Sequence, residues 1–209
     1  MRVFDYPKGL HTRSEKPPPY RSLPSYRPYV RREFADRCVY CRAPNYPERS
    51  GSYSIDHYRP KHLFRELEWH YANLYWACHA CNSRKGLYWP VQENLEATEF
   101  IPNPCDHRMF EHLKFEGLHA ATKTRAGAKA VEVLDLNSDQ HKRLRGALQT
   151  IADTFDATQK SLRAALVKVE ARALASGSAE IAEVFERKRA KLLENIATTS
   201  LILDKLAAK

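Results

Sequence analysis

Residues 38–41 read Cys-Val-Tyr-Cys, residues 56–57 read Asp-His, residue 73 is Asn, and residues 78–82 read Cys-His-Ala-Cys-Asn. Two Cys-x-x-Cys knuckles, 36 residues apart, bracket an Asp-His pair, and an asparagine directly follows the last cysteine. Each knuckle turns tightly enough to aim two thiolates at one ion, and zinc favours four sulfur donors in a tetrahedron. Cys38, Cys41, Cys78 and Cys81 are therefore expected to hold a structural Zn2+. Four thiolates leave no open position for a catalytic water. Asp56, His57 and Asn82 offer a different chemistry. Their hard oxygens suit Mg2+ or Mn2+, and an imidazole can act as a general base.

Local patterning sets these residues on elements. Ser54-Ile55 reads as a strand end leading into Asp56-His57. Asn73-Leu74-Tyr75-Trp76-Ala77 is aromatic and apolar, as a second strand requires. Cys81-Asn82-Ser83-Arg84-Lys85 opens a short helix that Gly86 stops. This order, with Asp56-His57-Tyr58-Arg59-Pro60-Lys61, then Asn73-Leu74, then Cys78-x-x-Cys81-Asn82-x-x-Lys85, resembles the HNH endonuclease family over roughly residues 34–90. The resemblance implies a ββα-metal core and metal-dependent hydrolysis of phosphodiester bonds. His57 would be the general base, and Asp56 and Asn82 the ligands of one catalytic Mg2+ or Mn2+. Asn73, matching the middle letter of the family name, would hold the loop bearing His57 through backbone hydrogen bonds. Arg59, Lys61, Arg84 and Lys85 are candidate phosphate grips. The final histidine of the family name is replaced by Asn82, which favours an oxygen-ligated metal over catalytic zinc.

A fuller resemblance spans about residues 25–145. Arg59-Pro60-Lys61, Cys81-Asn82-Ser83-Arg84-Lys85-Gly86 and Gly127-Ala128-Lys129-Ala130, followed by Val133-Leu134 and Leu136-Asn137, are similar to the HNH effector of Septu-type and retron-associated anti-phage systems. That likeness implies a defence nuclease and an ATPase partner docking on the C-terminal helices. The chain carries no Gly-x4-Gly-Lys-Ser/Thr loop, so ATP use would fall to the partner.

The 209 residues carry 34 Lys and Arg against 25 Asp and Glu, a net charge of +9. The excess lies outside the motif: residues 1–37 hold 9 basic against 4 acidic side chains, whereas residues 38–105 hold 7 of each. A basic flank around a neutral module points to a polyanionic partner; it is the HNH resemblance that implies nucleic acid, with DNA favoured over RNA. Two alternatives keep the same residues: cleavage of RNA, and a zinc module that binds nucleic acid without cutting it. An adaptor acting through the helices is a third. No apolar run approaches membrane-spanning length, so no membrane partner is expected. Four of the five cysteines fall into the knuckles, the pattern of metal ligands in a reducing, cytoplasmic compartment. Cys105 is left over as a loop or core cysteine. His79 reads as exposed filler between ligands. Asp106-His107 lacks the following Asn-Leu and Cys-Asn and reads as loop.

The expected fold class is α+β, in three parts. Residues 1–33 form an extended arm rich in Pro, Tyr and Arg, since proline blocks helix. Residues 34–123 form the zinc-stapled nuclease domain, with a short hairpin around Glu116-Gly117. Residues 124–209 are helical. Leu144, Leu148, Ile151, Phe155, Leu162, Leu166 and Val169 recur on one helix face, Ser176-Gly177-Ser178 interrupts, and Ile181, Val184, Phe185, Leu192, Ile196 and Leu203 resume, as in an antiparallel helical hairpin.

Overall fold

Strands β1 (Tyr53–His57) and β2 (Leu74–Cys78) pair antiparallel, with Ile55 opposite Trp76, Asp56 opposite Tyr75 and His57 opposite Leu74. The computed structural model describes residues 2–47, 51–91, 99–175 and 179–207. Every residue of β2 is buried, because the aromatic run packs on both faces. Helix α2 (His79–Lys85) follows without a linker. The Cys78 thiol caps it, accepting the Cys81 N–H at 3.5 Å, and Gly86 ends it with φ of +50°, a conformation that β-carbons disfavour.

The fold is α+β, but it departs from the extended reading of residues 1–33. Helix α1 spans Leu23–Glu33 and contains Pro28. Pro24 falls in the first turn, where a missing N–H costs nothing. Pro28 forgoes one intrahelical bond, and burial of Tyr26 and Val30 against the strands outweighs that loss. Phe34, just past the helix, stacks on Tyr75 with ring centroids 5.4 Å apart. Residues 4–22 are the part without regular structure. Glu33 ties them down: its buried carboxylate accepts the Ser14 N–H at 3.0 Å, the Glu15 N–H at 2.9 Å and a His11 ring nitrogen at 2.7 Å.

The chain divides into two compact units, one made of Phe4–Gly146 and the other mainly of Ala147–Ala207. In the first, helix α3 (Met109–His112) leads into an antiparallel hairpin of β3 (Leu113–Glu116) and β4 (His119–Thr122), with Gly117 at φ +57° in its two-residue turn. The Asn137 amide clasps both backbone groups of Ala120, at 2.8 and 3.0 Å. Thr124 caps helix α4 (Arg125–Leu134) by accepting the Gly127 N–H at 3.1 Å. Ser138 then accepts the His141 N–H at 3.4 Å as helix α5 (Asp139–Ala175) begins.

In the second unit, α5 and helix α6 (Ala179–Leu206) run antiparallel. Gln159 bonds Ser200 at 2.6 Å, and Glu170 meets Arg189 at 3.1 Å nearer the connection. The expected break at Ser176-Gly177-Ser178 lies outside the described residues. Leu148, Ala152, Leu203 and Leu206 are buried here, while Leu162, Leu166 and Val169 are half-buried. Among the described residues, no helix is long and apolar enough to cross a membrane.

Candidate zinc centre and histidine site

The sulfur atoms of Cys38, Cys41, Cys78 and Cys81 all lie within 4.8 Å of one another, and all four residues are buried. Cys41 and Cys78 are 3.7 Å apart, against ~3.8 Å for the edge of a tetrahedron with Zn–S bonds of ~2.3 Å. The donor set therefore fits one zinc ion, closed to water. The first knuckle is fixed to the strands by the Val39 N–H, which bonds the Trp76 carbonyl at 2.9 Å. The second is fixed by the Cys78 cap of α2. Hydrogen bonds from Cys38, Cys41 and Cys81 hold the Cys78 thiol well below its ordinary pKa. The crowding has the opposite sense for two of the others: hydrogen bonding to Cys38 first and then to Cys78 pushes Cys41 well up, and bonding to Cys38, Cys41 and Cys78 does the same to Cys81. Zinc displaces the protons that remain, so its binding weakens as pH falls.

Asp56 and His57 point away from each other, as successive strand residues must. The His57 ring meets the Glu68 carbonyl, with Nε2 2.9 Å from the oxygen. A carbonyl only accepts, so Nε2 carries the proton, and the neutral ring keeps its lone pair on Nδ1. The half-buried ring lies at the end of β1, before the Tyr58–Asn73 connection. Asn73 secures that connection. Its Oδ1 accepts the Arg59 N–H at 2.8 Å, and its Nδ2 donates to the Arg59 carbonyl at 3.0 Å and, more weakly, to the Leu67 carbonyl at 3.4 Å.

Asp56 is 4% exposed, and both its oxygens are engaged. Tyr40 donates to Oδ2 at 2.5 Å, and the Lys85 ammonium bonds Oδ1 at 3.0 Å and the His57 carbonyl at 2.8 Å. Asn82, one turn earlier on α2, turns its Nδ2 to Ser54 Oγ at 2.7 Å. Ser54 and Asp56 share a strand face, so α2 lies across that face with Asn82 and Lys85 as its two polar contacts. Asp56 and Asn82 thus lie on one side of β1, but as arranged they do not fit a divalent cation. The Asp56 carboxylate is neutralised by an ammonium, and among the described residues no second carboxylate joins it.

Two of the expected phosphate grips are engaged within the protein. Lys85 is 3% exposed and spent on Asp56 and the His57 carbonyl. Arg84 is drawn to the Asp135 carboxylate at 3.3 Å and to the His141 ring at 3.2 Å. Arg59 and Lys61 remain exposed on the connection after His57. Arg59 lies over the Trp89 and Phe64 rings, and Lys61 pairs with Glu68 at 3.2 Å. His79 is exposed beside Ser83. Asp106 and His107 belong to a loop organised by Asn103, and burial lowers the His107 pKa. Cys105 is half-buried in the same loop.

Two residues that sequence reasoning passed over complete the centre. Tyr40, inside the first knuckle, reaches Asp56. His141, from the start of α5, places Nε2 3.6 Å from the Cys81 sulfur. The first had a signal in its position between two ligands. The second is 60 residues from the thiol it touches and had none.

These features define an α+β protein built around a buried cluster of four cysteines able to hold a metal ion. No family model matches the chain, and no solved structure matches it. It is similar to Septu protein PtuB of Bacillus thuringiensis, with 28% identity over 115 residues. That match covers 53% of this chain and 42% of the relative, so the chain spans less than half of that protein's length. The similarity supports a Septu-related protein.

Proposed function

We propose that this chain is an HNH-type endonuclease with a ββα-metal core, acting on DNA as the nuclease effector of a Septu-like anti-phage defence system. The observation that carries this reading is the His57 imidazole, oriented by a backbone carbonyl and left with a bare Nδ1. Asn73 pins the connection that follows it. Binding nucleic acid alone requires no such base.

In the reaction, Nδ1 of His57 takes a proton from a water molecule. The water oxygen forms a bond to phosphorus as the bond to the leaving ester oxygen breaks, and that oxygen is protonated from solvent. Arg59 and Lys61, exposed beyond the histidine, would hold the phosphate. The divalent cation implied by the HNH resemblance would fall to Asp56 and Asn82 only after Asp56 is freed from Lys85. The structural zinc holds the first knuckle against the strands that carry these groups. The likeness to a Septu protein supports a partner subunit for this chain; the resemblance to Septu-type HNH effectors implies that this partner is an ATPase, and the α5–α6 pair would be its docking element.

The test is incubation of the purified chain with plasmid DNA and, separately, total RNA, in Mg2+, Mn2+ or EDTA. Cleavage of DNA by the wild type, reduced at least ~100-fold in His57→Ala, is expected. Equal cleavage by His57→Ala would overturn the assignment of the base. Preferential loss of RNA would transfer the substrate to RNA.

A further inference from the structure

The buried carboxylate of Asp56, next to the proposed catalytic histidine in sequence, is already paired with a cation, and the cation belongs to the protein. Asp56 and Lys85 have side chains 4% and 2% exposed, 3.0 Å apart. Removing two charges from water is costly, and a buried pair of this kind contributes little net stability. Its position is what distinguishes it. Lys85 lies one turn beyond Asn82, on the helix face that crosses Asp56. Its ammonium is held by Asp56 Oδ1 and by the carbonyl of His57 itself. A divalent ion on the same carboxylate would meet this fixed positive charge at close range, in a site closed to screening water.

We propose that Lys85 keeps the divalent-cation site closed: its ammonium engages the Asp56 carboxylate in place of the metal, so the resting chain is self-blocked until Lys85 withdraws. This inference rests on the reading of Asp56 and Asn82 as cation ligands. The fold gives Lys85 a way out. It is the last residue of α2, and Gly86 immediately ends the helix with φ of +50°. Only the final turn, on a four-carbon stem, needs to shift, and the zinc-bound first turn can stay in place. Tyr40 continues to bond Oδ2 in either state, which keeps the carboxylate oriented while its other oxygen changes partner.

The experiment measures Mn2+ binding to the zinc-loaded, full-length chain by the loss of the free-ion EPR signal, with zinc content checked in every sample. Wild type is compared with Lys85→Met, Lys85→Gln and the double variant D56N/K85Q. Lys85→Gln keeps a hydrogen-bond donor for Asp56 and so guards against a variant that fails to fold. Both single variants should bind Mn2+ at least tenfold more tightly than wild type, and adding Asp56→Asn should remove the gain. Equal, tight binding by wild type and Lys85→Gln would overturn the block and leave the cation reading standing. No binding by any of the proteins would overturn the cation reading and the block with it. If neither variant folds, wild type decides. Its Lys85 ammonium 15N resonance should stay protected from exchange in millimolar Mg2+, and loss of that protection would overturn the proposal.

Discussion

Replacing Asn73 tests how the connection that follows His57 is held. The side chain is 6% exposed and spends its amide on the Arg59 backbone, in two bonds of 2.8 and 3.0 Å, plus a long contact to the Leu67 carbonyl. Asn73→Ala removes both good bonds. Arg59 is exposed, so its freed backbone groups can turn to water, and the loss is the net worth of the bonds rather than the full penalty of two buried orphans. At about 1 kcal/mol per bond, plus a small void, Asn73→Ala should cost roughly 2–3 kcal/mol. Asn73→Asp is the sharper probe. It keeps an acceptor for the Arg59 N–H but aims a second oxygen at two carbonyls and buries a charge. It should be at least as destabilising as alanine, although it is the closer isostere. Urea unfolding of zinc-loaded protein gives the free energies, and amide exchange at Tyr58 and Arg59 locates the effect. An alanine variant within ~0.5 kcal/mol of wild type, or an aspartate variant more stable than alanine, would refute the reasoning.

Further predictions follow from the surrounding geometry. The zinc-loaded chain should carry one Zn2+, and Cys41→Ser or strong chelation should abolish the cooperative unfolding transition; a metal-free chain that still melts cooperatively would contradict the tetrathiolate staple. Gly127→Ala would bring a methyl group to 2.1 Å from the His112 carbonyl oxygen, so helix α4 must shift. A loss of about 1–3 kcal/mol is expected by thermal or urea unfolding, and a neutral result would mean that α3 and α4 are not packed as described. Burial alone would raise the Glu33 carboxyl, but the Ser14 and Glu15 amides and the His11 ring hold its pKa below the ordinary glutamate value. Its stabilisation of the arm is therefore present above the unfolded-state value and fades as pH falls through the lower folded one. The Ser14 and Glu15 amide resonances should shift together with a midpoint below that of an exposed glutamate, and a midpoint at or above it would contradict the clamp.

The cysteine centre was legible because Cys-x-x-Cys spacing carries its own geometry. Four thiols can converge without any knowledge of the intervening 36 residues. The strand pair was legible for a similar reason, since the Leu74–Ala77 aromatic run suits little else. The α1 helix was not. Three prolines in residues 17–19 and two more at Pro24 and Pro28 argue locally for extended chain, and only the burial of Tyr26 and Val30 reverses that. The burial of Lys85 was not legible, because lysine in a short polar helix ordinarily faces water. Its fate depends on how α2 lies over β1, and no local pattern states that. His141 shows the same limit from the other side: a contact between residues 81 and 141 exists only once the chain has folded.

The Tyr40 hydroxyl would give a metal held by the four cysteines a reach beyond its own ligands. This residue is enclosed by two of the sulfur donors and ends on the carboxylate of Asp56. Any oxidant that strips zinc by coupling the thiols would also unseat the phenol, and the acidic group would lose its orientation although nothing had touched it directly. On the proposed reading, redox stress would then disarm the Asp56 site from a distance, through a ring that performs no chemistry of its own.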